Sequence, residues 1–212
     1  MNKPIDNFIY DFDGTLSNSY PVFLKIVLEI AEEQGAYVPC AEQELHRLLK
    51  NRNVLAYRVI EWKNDFSYAD FHKAFEEKQI KYAKEFELYP HAKEILEAVQ
   101  KSGKRNFLYT HSGKPVYPII AHMGIEQYFT SVLDASQGFP SKPAPDALNY
   151  LSKEFSLDPA RSVMIGDRPL DVEAGANAGM QSCFWDVDGY FPNTPATYHI
   201  QALKDILKLI DQ

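Results

Sequence analysis

The stretch Phe8-Ile9-Tyr10-Asp11-Phe12-Asp13-Gly14-Thr15-Leu16 joins a short apolar run to two carboxylates and a glycine. The run at residues 8–10 does not alternate polar and apolar side chains, which is typical of a strand covered on both faces of a parallel sheet. Asp11 and Asp13 are two residues apart, so both point to the same side of an extended chain. Gly14 allows a sharp turn after them. The stretch therefore predicts a buried strand that ends in an acidic turn.

Four later runs share this apolar character, and a polar residue follows each of the five. The later runs are 106–109, 131–133, 162–165 and 182–185, and the polar residues that follow the five runs are Asp11, Thr110, Asp134, Asp167 and Asp186. Helix-like segments lie between the later runs, at 90–102 and 144–155, and glycines 103, 124 and 179 suit helix C-caps. This alternation predicts an α/β fold with a doubly wound parallel sheet, whose ligands bind beyond the carboxyl ends of the strands. A turn or capping role is sufficient for Asp134 and Asp186.

An inserted helical segment separates the first two predicted strands. About seventy residues more than a plain crossover needs lie between Asp11 and Thr110. Their patterning predicts helices at 20–34, 41–50, 53–62 and 68–86. We therefore expect a catalytic core of residues 1–18 and 88–212, with a helical cap of residues 19–87 above the strand ends. A last amphipathic helix is predicted at 201–210.

Composition limits the class of protein. The chain has 212 residues, 45% of them hydrophobic and 24% charged, which is ordinary for a soluble globular protein. Its net charge of −7 argues against nucleic acid as a partner. No apolar run approaches the ~18 residues of a membrane span, so we expect a cytoplasmic protein that does not bind membranes. Cys40 and Cys183 show no metal or redox spacing and are expected as reduced thiols. The sequence does not predict an oligomeric state.

A second pair of carboxylates, Asp167 and Asp171, follows Gly166 at another predicted strand end. If both pairs meet at neighbouring strand ends, four carboxylates crowd one crevice and require a counter-cation. Oxygen ligands without His or Cys favour a hard ion, and Mg²⁺ before Ca²⁺ where phosphate completes the shell. An EF-hand is excluded because Leu16 and Val22 stand where its glycine and glutamate belong.

Two single residues complete the pattern, although neither is specific alone. Thr110 closes the second run, where its hydroxyl can donate to a phosphoryl oxygen. Lys142 precedes Pro143 and lies at a helix entry, where its ammonium can bind an anion. His111 directly follows Thr110 and is a candidate for contact with phosphate or leaving group.

Together these motifs resemble the haloacid dehalogenase-like superfamily of phosphate-transferring hydrolases. The order matches across nearly the whole chain, with residues Asp11, Asp13, Gly14, Thr15, Thr110, Lys142, Gly166, Asp167 and Asp171. The helical insertion is similar to the cap of the phosphoglycolate phosphatase and β-phosphoglucomutase branch. The chain departs from that branch at His111-Ser112-Gly113, where many phosphoglycolate phosphatases carry an Asn-Lys pair.

The resemblance implies a magnesium-dependent phosphatase that acts on a small phosphorylated metabolite. Asp11 would attack phosphorus to form an aspartyl-phosphate, and Asp13 would serve as general acid and then as general base. The implied magnesium ligands are Asp11, the main-chain carbonyl of Asp13, and Asp167, with Asp171 orienting a bound water. Thr110 and Lys142 would hold the phosphoryl oxygens.

Several alternative functions use some of the same residue types. A phosphomutase of the β-phosphoglucomutase type uses the same motifs and stays open, as does a non-enzymatic phosphate- or metal-binding module. A dehalogenase is disfavoured because that branch lacks an acid at the position of Asp13. A phosphonatase would need a cap lysine, and the sequence does not single out Lys25, Lys50 or Lys63. No P-loop or dinucleotide fingerprint is present.

A basic stretch of the cap suggests where specificity resides. Residues 46–60 contain Arg47, Lys50, Arg52 and Arg58 and no acidic residue. We expect Arg47 and Arg52 to bind a second anionic group of the substrate. A solvated basic face is the alternative.

Overall fold

The computed structural model describes residues 3–51 and 53–210, with Asn53 described by its backbone alone. Its centre is a six-stranded, wholly parallel sheet of order β3-β2-β1-β4-β5-β6. The strands are β1 (Asn7–Tyr10), β2 (Arg105–Tyr109), β3 (Phe129–Leu133), β4 (Ser162–Gly166), β5 (Gln181–Phe184) and β6 (Tyr198–His199). This confirms the predicted doubly wound α/β fold. The strand order reverses at β1, where such sheets open a ligand crevice.

The register of β1 brings the predicted polar residues to one edge of the sheet. Tyr10 is paired with Leu108 of β2 and with Ile165 of β4. The backbone N–H of Asp11 donates to the carbonyl of Ile165 over 2.8 Å. Because these three strands end at the same level, the residues that follow them meet above the centre of the sheet.

Helices cover both faces of the sheet. They are α5 (Ala92–Lys101), α6 (Val116–His122), α7 (Asp146–Glu154), α8 (Pro169–Asn177) and α9 (Leu207–Ile210). Phe8 and Tyr10 pack with Leu96 of α5 on one face, and Ile9 packs with Leu148 of α7 on the other. These β1 side chains are fully buried. Burial on both faces explains why the strands are continuously apolar.

In the described part of the chain, four helices lie between β1 and α5, as the sequence predicts for the insertion. They are α1 (Tyr20–Glu33), α2 (Glu42–Asn51), α3 (Asn53–Val59) and α4 (Tyr68–Lys81). The third ends three residues before its predicted end, because Tyr37 and Glu61 exchange backbone hydrogen bonds of 3.0 and 2.9 Å and draw the chain into an extended bridge. The fourth ends at Lys81 instead of residue 86, and a separate 3₁₀ turn at Ala83–Glu85 follows.

Aromatic packing and ion pairs join α1 to α4. The rings of Phe23 and Phe75 lie 5.2 Å apart, and Phe71 stacks on Phe75 at 5.8 Å. Glu29 of α1 accepts hydrogen bonds from Lys78 at 2.8 Å and from Lys81 at 3.0 Å. The inserted helices therefore pack around an apolar centre, which is continuous with the core on one face of the sheet.

Two connecting segments link the helices to the sheet. The backbone N–H of Asn18 donates to Glu87 over 2.9 Å, and that of Tyr89 donates to Leu16 over 2.9 Å. The predicted boundaries at residues 18 and 88 fall on these paired segments. The first segment follows the Asp11–Asp13 turn directly, so the helices begin beside the acidic residues.

Some elements differ from the sequence analysis. The short strand β6 was not predicted, and helix α6 was indicated only by the C-cap glycine Gly124, without bounds. The last predicted helix consists of a 3₁₀ turn, Leu203–Ile206, followed by α9. The cysteines are both free, with Cys183 buried and Cys40 half-buried. In the described part of the chain, no helix combines the length and apolar character that membrane spanning requires.

Candidate active site

Asp11 lies at the floor of the crevice between two cations. Its Oδ1 accepts a 2.8 Å hydrogen bond from Lys142 Nζ, and its Oδ2 lies 3.4 Å from Arg168 Nη2. Asp11 is fully buried. Burial alone raises a carboxyl pKa, but the charges of Lys142 and Arg168 outweigh it and lower the pKa of Asp11. The carboxylate is therefore held ionised, as a nucleophile requires.

Asp13 has a different environment from Asp11. It is half-buried, and its Oδ2 accepts hydrogen bonds from Ser112 Oγ at 2.7 Å and from Thr110 Oγ1 at 3.4 Å. Desolvation raises the pKa of Asp13 to about 6, although the hydrogen bond from Ser112 opposes the shift. Two carboxyl groups at one strand end thus have opposite pKa shifts, which suits one to nucleophilic attack and the other to proton transfer.

Three carboxylates converge where the sequence predicts a metal site. Oxygens of Asp11, Asp167 and Asp171 lie within 4.8 Å of one another, and no other such group occurs among the side chains that the structure describes. Oδ1 of Asp167 accepts a 3.0 Å hydrogen bond from Thr15, and its buried Oδ2 forms an ion pair with Lys50 Nζ at 3.1 Å. A Cβ on Gly14 would lie 2.3 Å from that Oδ2, so only glycine fits there. Three buried carboxylates that offer only oxygen ligands fit a hard divalent cation.

Lys142 is held from several directions. Its Nζ also donates to Asp171 Oδ1 at 2.8 Å and to the carbonyl of Tyr109 at 2.9 Å. Its backbone N–H donates to Nε2 of His111 over 3.0 Å. Burial would lower the pKa of Lys142, but Asp11 and Asp171 outweigh it, so the pKa is raised and the ammonium is charged. The structure thus places His111 at the crevice, where it positions Lys142.

A lysine of the inserted helices also reaches the carboxylates, and here the sequence analysis was wrong. It did not single out Lys50 of α2, yet this side chain is fully buried, 3.1 Å from Asp167 Oδ2, and hydrogen-bonded to Asp188. Burial would lower the pKa of Lys50, but the two carboxylates outweigh it and raise the pKa. A charged amine is a poor imine nucleophile, so this placement does not favour a phosphonatase.

Arg47 and Arg58, two other basic residues of the inserted helices, do not join Lys50 in the crevice. Arg47 was expected to bind substrate, but its guanidinium donates to Glu44 at 3.0 and 3.1 Å on an exposed part of α2. An i,i+3 partner on the same helix accounts for this orientation. Arg58 is also exposed. Arg52, the second expected residue, lies outside the described residues.

Two cavities lie between the inserted helices and the strand ends. One, of about 260 Å³, is lined by Lys142, Arg168 and Ser141, among others. The other, of about 70 Å³, is lined by Asp13 and Ser112 and by side chains of α1 and α4. His111 and Arg168 line both cavities, so the two adjoin above Asp11.

Sequence reasoning missed three residues of this site. Arg168 and Ser112 each stand next to a motif residue, and their polarity at a strand end was the available signal. The sequence contained a weaker signal for Lys50, because nothing in it distinguishes this residue from Arg47 three residues earlier. Only the contact of Lys50 with the core distinguishes the two. The turn roles of Asp134 and Asp186 are confirmed, since their carboxylates accept backbone hydrogen bonds from Ser136, Tyr190 and Phe191.

Comparison with known proteins gives the family. Residues 8–185 match the family model of haloacid dehalogenase-like hydrolases. The chain belongs to this family. It is 30% identical over 197 residues to a phosphoglycolate phosphatase of Haemophilus influenzae, and the alignment covers 84% of each chain. The family and this relative identify the chain as an enzyme, a phosphoric monoester hydrolase, as the sequence predicts. A purely binding module is thereby excluded.

Solved structures share the fold at lower sequence identity. CbbY from Rhodobacter sphaeroides, solved in complex with phosphate, has a TM-score of 0.82 at 20% identity, covering 98% of this chain and 100% of that chain. A putative β-phosphoglucomutase from Thermotoga maritima has a TM-score of 0.75 at 22% identity, covering 98% and 99%. These two similarities show only that the fold is shared.

Proposed function

We propose that this phosphatase is magnesium-dependent and hydrolyses a small phosphate monoester through an aspartyl-phosphate at Asp11. The observation that carries the proposal is the position of Asp11. Its ionised carboxylate lies between Lys142 and Arg168, beside Asp167 and Asp171, and two residues from Asp13. This arrangement supplies a nucleophile, cations for the phosphoryl oxygens and an acid within one crevice.

In the first step, an oxygen of Asp11 attacks phosphorus and the bond from phosphorus to the leaving oxygen breaks. Asp13 gives its proton to that oxygen. In the second step, Asp13 takes a proton from a water molecule that attacks the phosphorus, and the carboxylate of Asp11 is released. Lys142 and the hydroxyl of Thr110 bind the phosphoryl oxygens, and His111 keeps Lys142 in place.

Asp11, Asp167 and the main-chain carbonyl of Asp13 would hold the magnesium ion, with Asp171 orienting a bound water. Both oxygens of Asp171 already accept hydrogen bonds, from Lys142 Nζ and from the backbone N–H of Arg168, which supports the indirect role. When bound, Mg²⁺ neutralises charge on the nucleophile and the phosphoryl group.

The proposed cap is the helical segment 19–87, which encloses the crevice and excludes water from it. Phosphoglycolate, for which the relative from Haemophilus influenzae is named, is one candidate substrate. A phosphomutase of the β-phosphoglucomutase type would use the same Asp11 and Asp13, so the products decide between the two activities.

The test uses the purified full chain with a panel of phosphate esters that includes p-nitrophenyl phosphate and hexose phosphates. We expect EDTA to abolish phosphate release and Mg²⁺ to restore it. Acid quenching with a ³²P-labelled ester should trap a protein-bound phosphate that hydroxylamine releases. Asp11→Asn should abolish both signals, and the exposed control Asp65→Asn should keep them. Full activity after metal removal, or labelling of Asp11→Asn, contradicts the proposal. An isomerised hexose phosphate without phosphate release identifies a mutase.

A further inference from the structure

The smaller cavity contains features that the reaction steps above do not use. It lies between α4 and the loop after β2, and its walls include the rings of Phe23 and Phe75. Glu76 and Gln79, both on α4, also line it. Neither side chain has a part in the chemistry at Asp11, so their presence requires a separate explanation.

This cavity is on the leaving-group side of the crevice. Asp13, which must reach the leaving oxygen, lines the smaller cavity, whereas Lys142, which binds phosphoryl oxygens, lines the larger one. A substrate whose phosphorus lies at Asp11 therefore directs its alcohol portion toward α4. The groups that line this side select the alcohol.

Gln79 presents an unsatisfied acceptor at this position. Gln79 is 4% exposed, and its Oε1 accepts no hydrogen bond. A buried carbonyl oxygen without a donor is unfavourable, so a ligand that brings a donor is favoured. A hydroxyl is such a donor, whereas a carboxylate has no proton to give.

Glu76 adds negative charge to the same wall. Its Oε1 lies against Gly113, where a Cβ would be only 2.5 Å away, so the absence of a side chain at residue 113 lets the carboxylate reach the core. The cation of this cavity, Arg168, is already near Asp11 at 3.4 Å and Asp171 at 3.9 Å. His72 lies 3.8 Å from Glu76 on the same helix. A carboxylate on the alcohol portion would thus face Glu76 and Asp13.

We infer that the substrate is a phosphate ester of a neutral, hydroxyl-bearing alcohol, such as a polyol or sugar, whose hydroxyls donate to Gln79 and Glu76. The inference rests on the proposed phosphatase function. It separates this chain from phosphatases of carboxylate-bearing esters, because the acceptors on α4 favour hydroxyl donors and repel a carboxylate.

The test compares two esters of nearly equal size, 2-hydroxyethyl phosphate and 2-phosphoglycolate, with p-nitrophenyl phosphate as reference. In the wild type we expect kcat/KM for 2-hydroxyethyl phosphate to exceed that for 2-phosphoglycolate at least tenfold. Glu76→Gln, which keeps the shape of the side chain, should reduce this ratio at least fivefold by improving 2-phosphoglycolate turnover. Gln79→Leu should lower kcat/KM for 2-hydroxyethyl phosphate. The exposed control Glu77→Gln should change neither this kcat/KM nor the ratio between the two esters.

The outcomes distinguish this inference from the phosphatase function itself. A wild-type preference for 2-phosphoglycolate, an unchanged ratio in Glu76→Gln, or turnover of p-nitrophenyl phosphate alone would overturn the hydroxyl selection and leave the phosphatase function standing. No turnover of any of the three esters with Mg²⁺ would contradict the phosphatase function.

Discussion

Nζ of Lys50, on helix α2, lies 3.1 Å from Oδ2 of Asp167, at the end of strand β4. The ammonium also binds Asp188 in the loop after β5, so one side chain of the inserted helices joins two segments of the core. The side chains of Lys50 and Asp167 are both fully buried. The inserted helices are thus tied to the core through the same carboxylate that is proposed to bind magnesium.

Replacement of Lys50 should destabilise the metal-free protein. Lys50→Met leaves Asp167 buried without its cation, and we expect a loss of about 3 kcal/mol in the free energy of unfolding. Added Mg²⁺ should recover part of this loss, because a cation at Asp11 and Asp167 replaces the missing charge. Urea unfolding in EDTA and in Mg²⁺ measures both effects. The exposed control Arg47→Gln should lose less than about 0.5 kcal/mol. Equal losses in the two variants would show that the buried pair does not contribute.

Arg168 should contribute to catalysis with every ester. Its guanidinium is near the attacking carboxylate of Asp11, and its buried Nε has no hydrogen-bond partner. Arg168→Gln should lower kcat/KM about 100-fold for p-nitrophenyl phosphate and for the best ester alike, because the lost donor faces the phosphoryl group in both cases. Arg58→Gln, an exposed cap variant, serves as the control. Near-normal kcat/KM in a folded Arg168→Gln protein would remove Arg168 from the site.

Asp13→Asn should affect esters according to their leaving groups. An amide has no proton to give at this position, so the rate of the first step should fall about 100- to 1,000-fold for an alkyl phosphate. The nitrophenolate of p-nitrophenyl phosphate leaves without a proton, so its first step should change little. Pre-steady-state phenolate release measures this difference. Equal losses for the two esters in that first step would show that Asp13 is not the acid.

The sequence predicted the sheet and the motif residues because both follow from local patterns. Continuous apolar runs mark strands buried on both faces. The meeting of Asp11 and Asp167 was predicted only on the condition that their strands are neighbours, and the pairing of β1 with β4 meets that condition. Lys142 was expected at a helix entry and, through the family resemblance, at the phosphoryl group, but its hydrogen bond to Asp11 was not predicted.

The contribution of the cap was not predictable in the same way. Arg47 and Lys50 lie on one helix with similar composition around them, yet Glu44 binds Arg47 at the surface, whereas Asp167 and Asp188 bind Lys50 in the crevice. The partners of Lys50 are more than a hundred residues away. Which basic side chain faces the core therefore depends on how α2 packs, and sequence spacing does not contain that information.

The link between α1 and α4 should weaken in acid. Lys78, Tyr82 and Lys81 donate to Glu29 and lower its pKa to about 2. The unfolded chain has the ordinary, higher value, so the folded state gains stability above that value and loses it as the pH falls toward 2. After allowance for solvent screening, we expect the free energy of unfolding of the wild type to exceed that of Glu29→Gln by about 1 kcal/mol at pH 6. This difference should vanish near pH 2. Urea unfolding across this range measures the difference. Glu32→Gln, an exposed variant on the same helix, should show no such dependence, and a pH-independent difference for Glu29→Gln would refute the ion-pair explanation.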